Sequence, residues 1–333
     1  MSLNLITDVA GIAVGHATDL ALGSGVTAIV FENGATASVS VRGGATAGRD
    51  LAVLDPDATH DRVEAIVLSG GSGYGLDAGG GAQAALRAQG RGLAFAGIRL
   101  PVVPTAILFD LLNGGAKDWG RFSPYRDLGF AATEAALGGV FALGSVGAGT
   151  GATTATLKGG LGSASAFTSS GHCVGAIVAV NAIGTSTIGD GPHFWAAPFE
   201  IGVEFGGLGL PSVFDTRLRT KGGAPTPATT IALVATDAAL SKVQARRLAI
   251  MADDGLARAI HPAHAPNDGD TVFAASTGLR PIGDPIRELT ELGHVAGMVL
   301  ARAIARAVFE ATSLPYPPGL ACWRDRFGAV RGS

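Results

Sequence analysis

The chain has 333 residues, of which 47% are hydrophobic and 15% are charged, with a formal net charge of −3. This composition supports a large buried core and excludes a disordered chain, while the lack of any dense Lys/Arg run argues against nucleic acid or an anionic membrane as a partner. Two cysteines are too few for a disulfide framework, and the first residues, "MSLNLITDVAG", lack a signal-peptide pattern, so a cytoplasmic location is expected.

The first half of the chain alternates short apolar runs with Gly-rich turns, which predicts strands joined by tight turns. Separate strands are predicted at 25–32 and 36–44. Residues 63–90 predict a strand, a Gly turn and a helix in that order. Further strands are predicted at 92–104 and 174–184, the second of them buried because it is almost wholly apolar.

The second half contains a long Gly- and Pro-rich segment at 206–228, followed abruptly by an apolar strand from Thr229. Ser241 and Gln244 form a capping-box pattern that predicts a helix start. A second helix is predicted at 286–311. Strands mixed with helices favour sheets covered by outer helices, and a loop as long as 206–228 is usually functional or a site of processing.

Two familiar ligand-binding patterns are incomplete. "GYGLDA" at 73–78 follows a predicted strand and matches a dinucleotide-binding turn, but no carboxylate ends the next predicted strand to hold a ribose. A nucleotide-binding oxidoreductase is therefore a weak alternative, and no cofactor is expected. His261 and His264 are close in sequence but separated by Pro262 and without a third ligand type nearby, so no metal is expected.

Three polar positions have an ordinary interpretation and a functional one. Asp268 and Asp270 flank Gly269, which alone suggests a hairpin turn with solvated carboxylates. Lys158 lies in a Gly- and Thr-rich stretch and would usually be a surface lysine. Asn181 interrupts an apolar strand, where its amide must find partners or cost roughly 1–3 kcal/mol.

Thr229 opens its strand directly behind the long loop. A threonine hydroxyl is a poor nucleophile unless a base lies within hydrogen-bond reach, and a free α-amine on the same residue can be that base. Such an amine has a pKa of about 7.7–8.0, which a nearby lysine would lower. Freeing it requires a cut before Thr229.

These segments together resemble the P1 family of N-terminal-nucleophile hydrolases (peptidase family S58). That family includes L-aminopeptidase/D-Ala-esterase, the β-peptidyl aminopeptidases and the nylon oligomer (6-aminohexanoate) hydrolases. The resemblance is colinear over nearly the whole chain, and it is carried by residues 6–19, 40–56, 68–81, 180–184, 229–242 and 267–277.

The resemblance implies an α/β fold (α+β), a four-layer αββα sandwich. It implies one hydrolase domain, 1–333, that cuts itself between Ala228 and Thr229 into an α chain, 1–228, and a β chain, 229–333. The implied substrate is a small peptide or amide, with no cofactor. Homo-oligomers, tetramers or octamers of αβ units, are also implied.

The implied catalytic residues are Thr229 as the nucleophile, Lys158 beside it, Asn181 at the oxyanion, and Asp268 with Asp270 ordering the nucleophile. The implied substrate pocket is formed by Gly71, Ser72, Gly73, Tyr74 and Phe109.

Two positions depart from the relatives. Ala228 precedes the nucleophile where relatives tend to carry Gly or Asn, and Phe109 occupies a position where relatives place a tyrosine. The alternative these departures favour is an uncleaved, non-hydrolytic binding scaffold with the same fold.

Overall fold

The computed structural model describes residues 2–222, 227–315 and 319–328. Within these ranges the strands are β1 (Ile12–Asp19), β2 (Ser24–Val41), β3 (Gly48–Arg49), β4 (Arg62–Ser69), β5 (Leu93–Phe95), β6 (Ile98–Leu100), β7 (Thr105–Ile107), β8 (Gly160–Phe167), β9 (Cys173–Asn181), β10 (Thr229–Ala238) and β11 (Thr271–Arg280). The helices are α1 (Asp77–Ala88), α2 (Tyr125–Glu134), α3 (Lys242–Ala259), α4 (Pro285–Phe309) and α5 (Trp323–Phe327).

The prediction of two strands at 25–32 and 36–44 is wrong, because β2 continues through both. Strand β4 pairs with β2 on both sides of a register shift between Val30 and Ala35, whereas β11 pairs only with the second part, from Thr36 to Val41. Gly34 adopts a positive φ of 72° inside that irregularity. The Asn33–Gly34 pair therefore marks a bulge within one strand, since β4 pairs with β2 on both sides of it.

Strand β2 is what allows two sheet layers to form. Hydrogen bonding follows the order β3-β7-β4-β2-β11-β10-β9-β8, with β1 also paired to β2. Ile66 and Leu68 of β4 share one buried cluster with Leu233 and Ala235 of β10. The two halves of the strand path therefore pack face to face across a common core.

Helices cover both outer faces of this sandwich. Helices α1 and α2 pack on β1, β2 and β4, while α3 and α4 pack on β8 to β11. The layer order is helix, sheet, sheet, helix, as the resemblance implies. Helix α4 is long and apolar enough to cross a membrane, but 83% of its most apolar window is buried inside the protein, as in a core helix.

Other sequence predictions hold to different degrees. Ser241 caps α3 by accepting from the Gln244 N–H in a capping box, as predicted. Helix α4 begins one residue before the predicted start and ends two residues earlier, at Phe309. The predicted strand at 92–104 is instead an exposed hairpin, β5–β6, and the strand that follows β4 in the sheet is the short β7. Part of the predicted loop 206–228 lies outside the described residues.

Strand β10 runs antiparallel to β9 and parallel to β11 in the middle of the inner layers. Its first residue is Thr229. This position sets Thr229 between the end of β9 and the loop that enters β11.

Candidate active site

The peptide bond before Thr229 is buried and already held by hydrogen bonds. The carbonyl oxygen of Ala228 accepts from the backbone N–H of Gly269 at 2.9 Å and from the hydroxyl of Thr229 itself. Ala228 is 1% exposed and Thr229 5% exposed. A hydroxyl and a polarising donor therefore meet at one carbonyl group.

The acid pair Asp268 and Asp270 lies beside this bond. Asp268 bridges to Ala228 in parallel fashion, and the Asp270 carboxylate accepts from the Thr230 N–H at 2.8 Å. Both side chains are 1% exposed. The hairpin interpretation with solvated carboxylates is wrong, because β10 and β11 are parallel and their connection passes through α3.

Glycines let the loops around the acid pair approach closely. A Cβ at Gly43 would lie 2.3 Å from the Asp268 carbonyl oxygen, and one at Gly44 would lie 2.6 Å from that of Pro266. A Cβ at Gly269 would lie 2.6 Å from the Thr229 hydroxyl oxygen. Side chains at these positions would displace the loops, which gives a physical reason for the glycines at 43, 44 and 269.

Asn181 faces Thr229 directly across the antiparallel β9–β10 pair. Its Oδ1 accepts from the Thr153 N–H at 3.0 Å and the Lys221 Nζ at 2.8 Å, and its Nδ2 donates to the Phe109 carbonyl oxygen at 2.8 Å. The buried amide thus finds the partners that its place in an apolar strand demands. It is fixed in orientation on the same face as Thr229.

Lys158 is 2% exposed, so the surface-lysine interpretation is wrong. Its Nζ donates to the carbonyl oxygens of Gly149 at 3.1 Å and Gly159 at 2.8 Å. It lines a cavity of about 200 Å³ together with Phe109, Asp110, Asn113, Lys221 and Pro227.

Lys221 is a site residue that the sequence did not reveal. Besides Asn181 Oδ1, its Nζ reaches the Asn181 carbonyl oxygen at 3.2 Å. It sits in the Gly- and Pro-rich segment before the Ala228–Thr229 bond, where a lone lysine carries no pattern. Only the fold brings it to the end of β9.

Burial lowers the pKa of the two lysines of the site and raises the pKa of Asp268. Desolvation lowers the pKa of Lys158 to about 7 and that of Lys221 to about 7. Desolvation raises the pKa of Asp268, and the neighbouring charge of Asp270 raises it further. Each shift favours the neutral form, so the site can exchange protons near neutral pH.

The glycine-rich turn that contains Gly71 and Ser72 lies next to Asp110, which lines this cavity. Gly71 N–H donates to Asp110 Oδ1 at 2.8 Å, and Ser72 N–H donates to the Leu108 carbonyl oxygen. Tyr74 is exposed against Trp119, and neither it nor Gly73 is among the residues that line the cavity. Of the expected pocket residues, Phe109 lines the cavity and Gly71 is linked to it through Asp110.

Asp110 is a second residue that the sequence did not reveal. Its carboxyl accepts from the Ser24 hydroxyl at 2.6 Å, which in turn accepts from the Tyr125 hydroxyl at 2.9 Å. Burial raises its pKa. The available signal was a carboxylate directly after the apolar run "TAILF".

A metal centre is not evident in this region. Across the three described ranges, no group of three or more His, Cys, Asp and Glu side chains has the arrangement of a metal site. The polar side chains that the fold brings to the ends of β9 and β10 include a hydroxyl, two carboxyls, an amide and two amines.

Solved structures identify the fold. A beta-aminopeptidase from Burkholderia sp. aligns with a TM-score of 0.70 at 21% identity, covering 100% of this chain and 95% of the other. An L-aminopeptidase D-Ala-esterase/amidase from Ochrobactrum anthropi, described as a variant of the Ntn hydrolase fold, aligns with a TM-score of 0.69 at 21% identity, covering 98% and 93%. The fold is thus that of the Ntn hydrolases.

The family follows from the sequence comparison, since the model of peptidase family S58 matches residues 4–320 and the chain belongs to that family. An uncharacterized aminopeptidase from Mycobacterium tuberculosis is 40% identical over 99% of this chain and 100% of the relative. A 6-aminohexanoate-oligomer endohydrolase from Paenarthrobacter ureafaciens is 31% identical over 81% of this chain and 74% of the relative. The protein is accordingly a hydrolase of amide bonds, and neither the non-hydrolytic scaffold nor the oxidoreductase is retained.

Proposed function

We propose that the chain cuts itself between Ala228 and Thr229 and that the freed Thr229 is the nucleophile of an amide hydrolase acting on small peptides or amides. One observation carries the proposal. The Ala228 carbonyl oxygen accepts from both the Gly269 N–H and the Thr229 hydroxyl, in a buried position beside two carboxyls. A bond held in this way is polarised at the atom that its own neighbour would attack.

Self-cleavage begins when the Thr229 hydroxyl oxygen attacks the Ala228 carbonyl carbon. The Gly269 N–H, 2.9 Å from the carbonyl oxygen, stabilises the charge that develops there. The C–N bond then breaks, the Thr229 nitrogen takes up a proton, and an ester joins the two parts. Water hydrolyses this ester, which leaves a carboxylate on Ala228 and both a hydroxyl and an amine on Thr229.

Turnover repeats this chemistry on a substrate. The Thr229 amine takes the hydroxyl proton as the hydroxyl attacks the substrate carbonyl, and the protonated amine returns a proton to the leaving nitrogen. Lys158, whose pKa burial lowers to about 7, keeps the amine neutral through like-charge repulsion when it is itself protonated. Water then releases the acyl group from Thr229.

The remaining polar groups order the reactants. Asn181 lies opposite Thr229, where its amide can support the oxyanion once its present partners are exchanged for substrate. Asp268 and Asp270 orient the hydroxyl and amine of Thr229 and can bind a cationic substrate amino group. That last role favours aminopeptidase-like substrates.

We assign the acyl group of the substrate to the cavity lined by Lys158, Lys221 and Phe109. Its volume of about 200 Å³ suits a small acyl group, and Pro227, on the α-chain side of the cut, forms part of its wall. Separation of the new α-chain end after cleavage would enlarge the entrance. A small peptide or short amide oligomer fits this arrangement.

Replacing the nucleophile tests the proposal. Thr229→Ala is expected to remain one 33.2 kDa chain on a denaturing gel, whereas the parent yields two fragments. The matched control is Thr230→Val, which removes the adjacent buried hydroxyl on the same strand and should still be cut. Two fragments from Thr229→Ala would refute the assignment.

A further inference from the structure

Behind the acid pair runs a line of alternating charges that leads from Thr229 to the protein surface. His264 Nδ1 lies 2.9 Å from Asp270 Oδ2, and its Nε2 lies 3.7 Å from Asp253 Oδ1. Asp253, buried on α3, is held by the Arg42 Nε at 2.9 Å and by the Ser40 hydroxyl at 2.8 Å. The order is carboxyl, imidazole, carboxyl, guanidinium.

His264 is held in place by its backbone as well as by its ring. It adopts a left-handed φ of 58°, a conformation that costs free energy for a residue other than glycine. In that conformation its backbone N–H also donates to Asp270 Oδ2, at 3.0 Å. The backbone N–H therefore bonds the same carboxylate oxygen that the ring Nδ1 approaches as an ion-pair contact.

Asp270 and Asp268 differ in the hydrogen-bond donors that reach their carboxyl groups. Asp270 receives the Thr230 N–H on one oxygen and His264 on the other. Neither carboxyl oxygen of Asp268 receives a hydrogen bond from a donor group among the residues that the structure describes, and its buried side chain instead interacts with the carboxyl of Asp270. A buried carboxyl without partners is stable only when protonated, whereas one with several donors is stable as the anion.

We propose that His264 is a positioning residue that keeps Asp270 ionised and so leaves the proton of the acid pair on Asp268. The idea rests on the proposed function, because it assigns states to the same acid pair. In this arrangement the two carboxyls beside Thr229 have different roles. Asp268 can donate a hydrogen bond or a proton, and Asp270 can only accept one.

The charge of His264 is set by the groups that face it. Hydrogen bonding to Asp270 raises its pKa most, and the charges of Asp270, Asp253 and Asp268 raise it further against desolvation. Across the neighbouring cavity of about 390 Å³, the facing groups are His261, Asp215, Arg217 and Arg219. Asp215 is paired with both arginines at 2.7 Å, so this side adds little net charge.

The pH dependence of turnover separates this role from a structural one. In His264→Gln the side chain can still donate a hydrogen bond to Asp270 but carries no charge. Losing a cation beside a carboxylate raises the pKa of that carboxylate by about one unit or more. The acid limb of kcat/KM against pH, measured with alanine p-nitroanilide and with a linear 6-aminohexanoate oligomer, should therefore move up by about one pH unit.

The control is His294→Gln, an exposed histidine on α4, which should leave both limbs in place. A merely structural role for His264 would lower the rate at every pH without moving the limb, and that result would overturn the proposal. A second variant, Asp253→Asn, removes the outer carboxylate and lowers the pKa of His264. Because His264 stays protonated at the acid limb, Asp253→Asn should not raise that limb, and a rise as large as that of His264→Gln counts equally against the proposal.

Gels run on the same samples keep the two ideas apart. Parent protein that stays uncut and inactive would defeat the proposed function itself. Parent protein that is cut and active, with a His264→Gln acid limb that coincides with the parent's, would defeat only the role of His264.

Discussion

The Ala228–Thr229 peptide bond lies between a pair of buried carboxyls, the acid side, and a pair of buried amines, the lysine side. These two sides are assembled from the chain in different ways. On the acid side, Asp268 and Asp270 lie in one loop whose backbone is packed tightly on glycines 43 and 44. On the lysine side, Lys158 and Lys221 come from distant segments and meet only at the end of β9. The acid side is local in sequence, whereas the lysine side exists only in the folded chain.

The comparison shows burial outweighing charge attraction on both sides. Desolvation raises the pKa of Asp268 even though Lys221 and His264 oppose it, and lowers the pKa of Lys158 even though Asp110 opposes it. Groups shifted in this way exchange protons near neutral pH, where unperturbed carboxyls and amines do not. A site assembled for proton transfer is the physical result.

The largest expected effect comes from the tightest contact on the acid side. Gly269→Ala would bring a methyl group to 2.6 Å from the Thr229 hydroxyl oxygen and displace the N–H that holds the Ala228 carbonyl. Loss of one oxyanion donor costs about 10²–10³ in rate, so self-cleavage should slow by at least about 100-fold. The cut fraction on a denaturing gel over time measures this.

Gly138→Ala is the control for that change, since the nearest atom to its added methyl group is 3.9 Å away. It should be cut at the parental rate. Normal cutting of Gly269→Ala would show that the Gly269 N–H has no part in the reaction.

On the lysine side, Lys158→Met keeps the shape of the side chain and removes the amine. Turnover per cut chain should fall about 100-fold, in the range of general acid–base contributions. In the parent, the contribution of Lys158 should be lost as pH rises through about 7, because the lysine acts in its protonated form. A variant that keeps both its rate and this pH dependence would remove Lys158 from the mechanism.

Lys158→Met should also stabilise the folded state. Lower turnover together with a higher Tm would show that the loss of activity is not caused by unfolding. In the parent, Lys158 binds its proton more weakly when folded than when unfolded, where its pKa is 10.5. Folding is therefore penalised at pH 7, and the penalty falls as pH rises toward that value. Lys158→Met should show a higher Tm than the parent at pH 7, with the difference shrinking near pH 10; an unchanged or lower Tm at pH 7 would contradict this.

A smaller effect is expected for Lys221→Met. This variant tests whether Lys221 contributes more to self-cleavage than to turnover of substrate by the cut protein. Lys221 precedes the proposed cleavage site and contacts Asn181 through two hydrogen bonds. Self-cleavage should slow about tenfold, equivalent to about 1.4 kcal/mol, while kcat per cut chain stays within about twofold. Arg217→Gln, an exposed change on the same segment, should leave the cutting rate alone. Equal losses in cutting and turnover would contradict the separation.

The smallest effect is expected for Phe109→Tyr, which adds a phenol to the cavity wall. An extra donor near Asn181 should raise turnover by about twofold to tenfold. Phe122→Tyr, on an exposed ring, is the comparison that should not change. A decrease in turnover for Phe109→Tyr would contradict this prediction. It would indicate that the apolar ring of Phe109 favours turnover by excluding water from the cavity.

The acid side and the proposed nucleophile could be inferred from the sequence because their signals are local. The Asp-Gly-Asp spacing and the strand that opens at Thr229 lie in short contiguous motifs, and the capping box at Ser241 likewise predicted the start of α3. Periodicity gave the buried strand β9, within which Asn181 required partners.

The parts that the sequence concealed depend on long-range pairing. Nothing local shows that β2 continues through an Asn-Gly pair, because the second half is stabilised by β11, far along the chain. Lys221, Asp110 and His264 carry no motif, and each gains its partners only when separate loops meet. Burial of Lys158 is likewise a property of the fold, since its neighbours in sequence, Leu157 and Gly159, do not show which way the lysine side chain lies.

The most direct test is intact mass spectrometry combined with N-terminal sequencing of purified, active protein. The account predicts two polypeptides, one of which begins at Thr229 with the sequence TTIALVATD. Fully active material that consists of a single 33.2 kDa chain, with no terminus at Thr229, would contradict it.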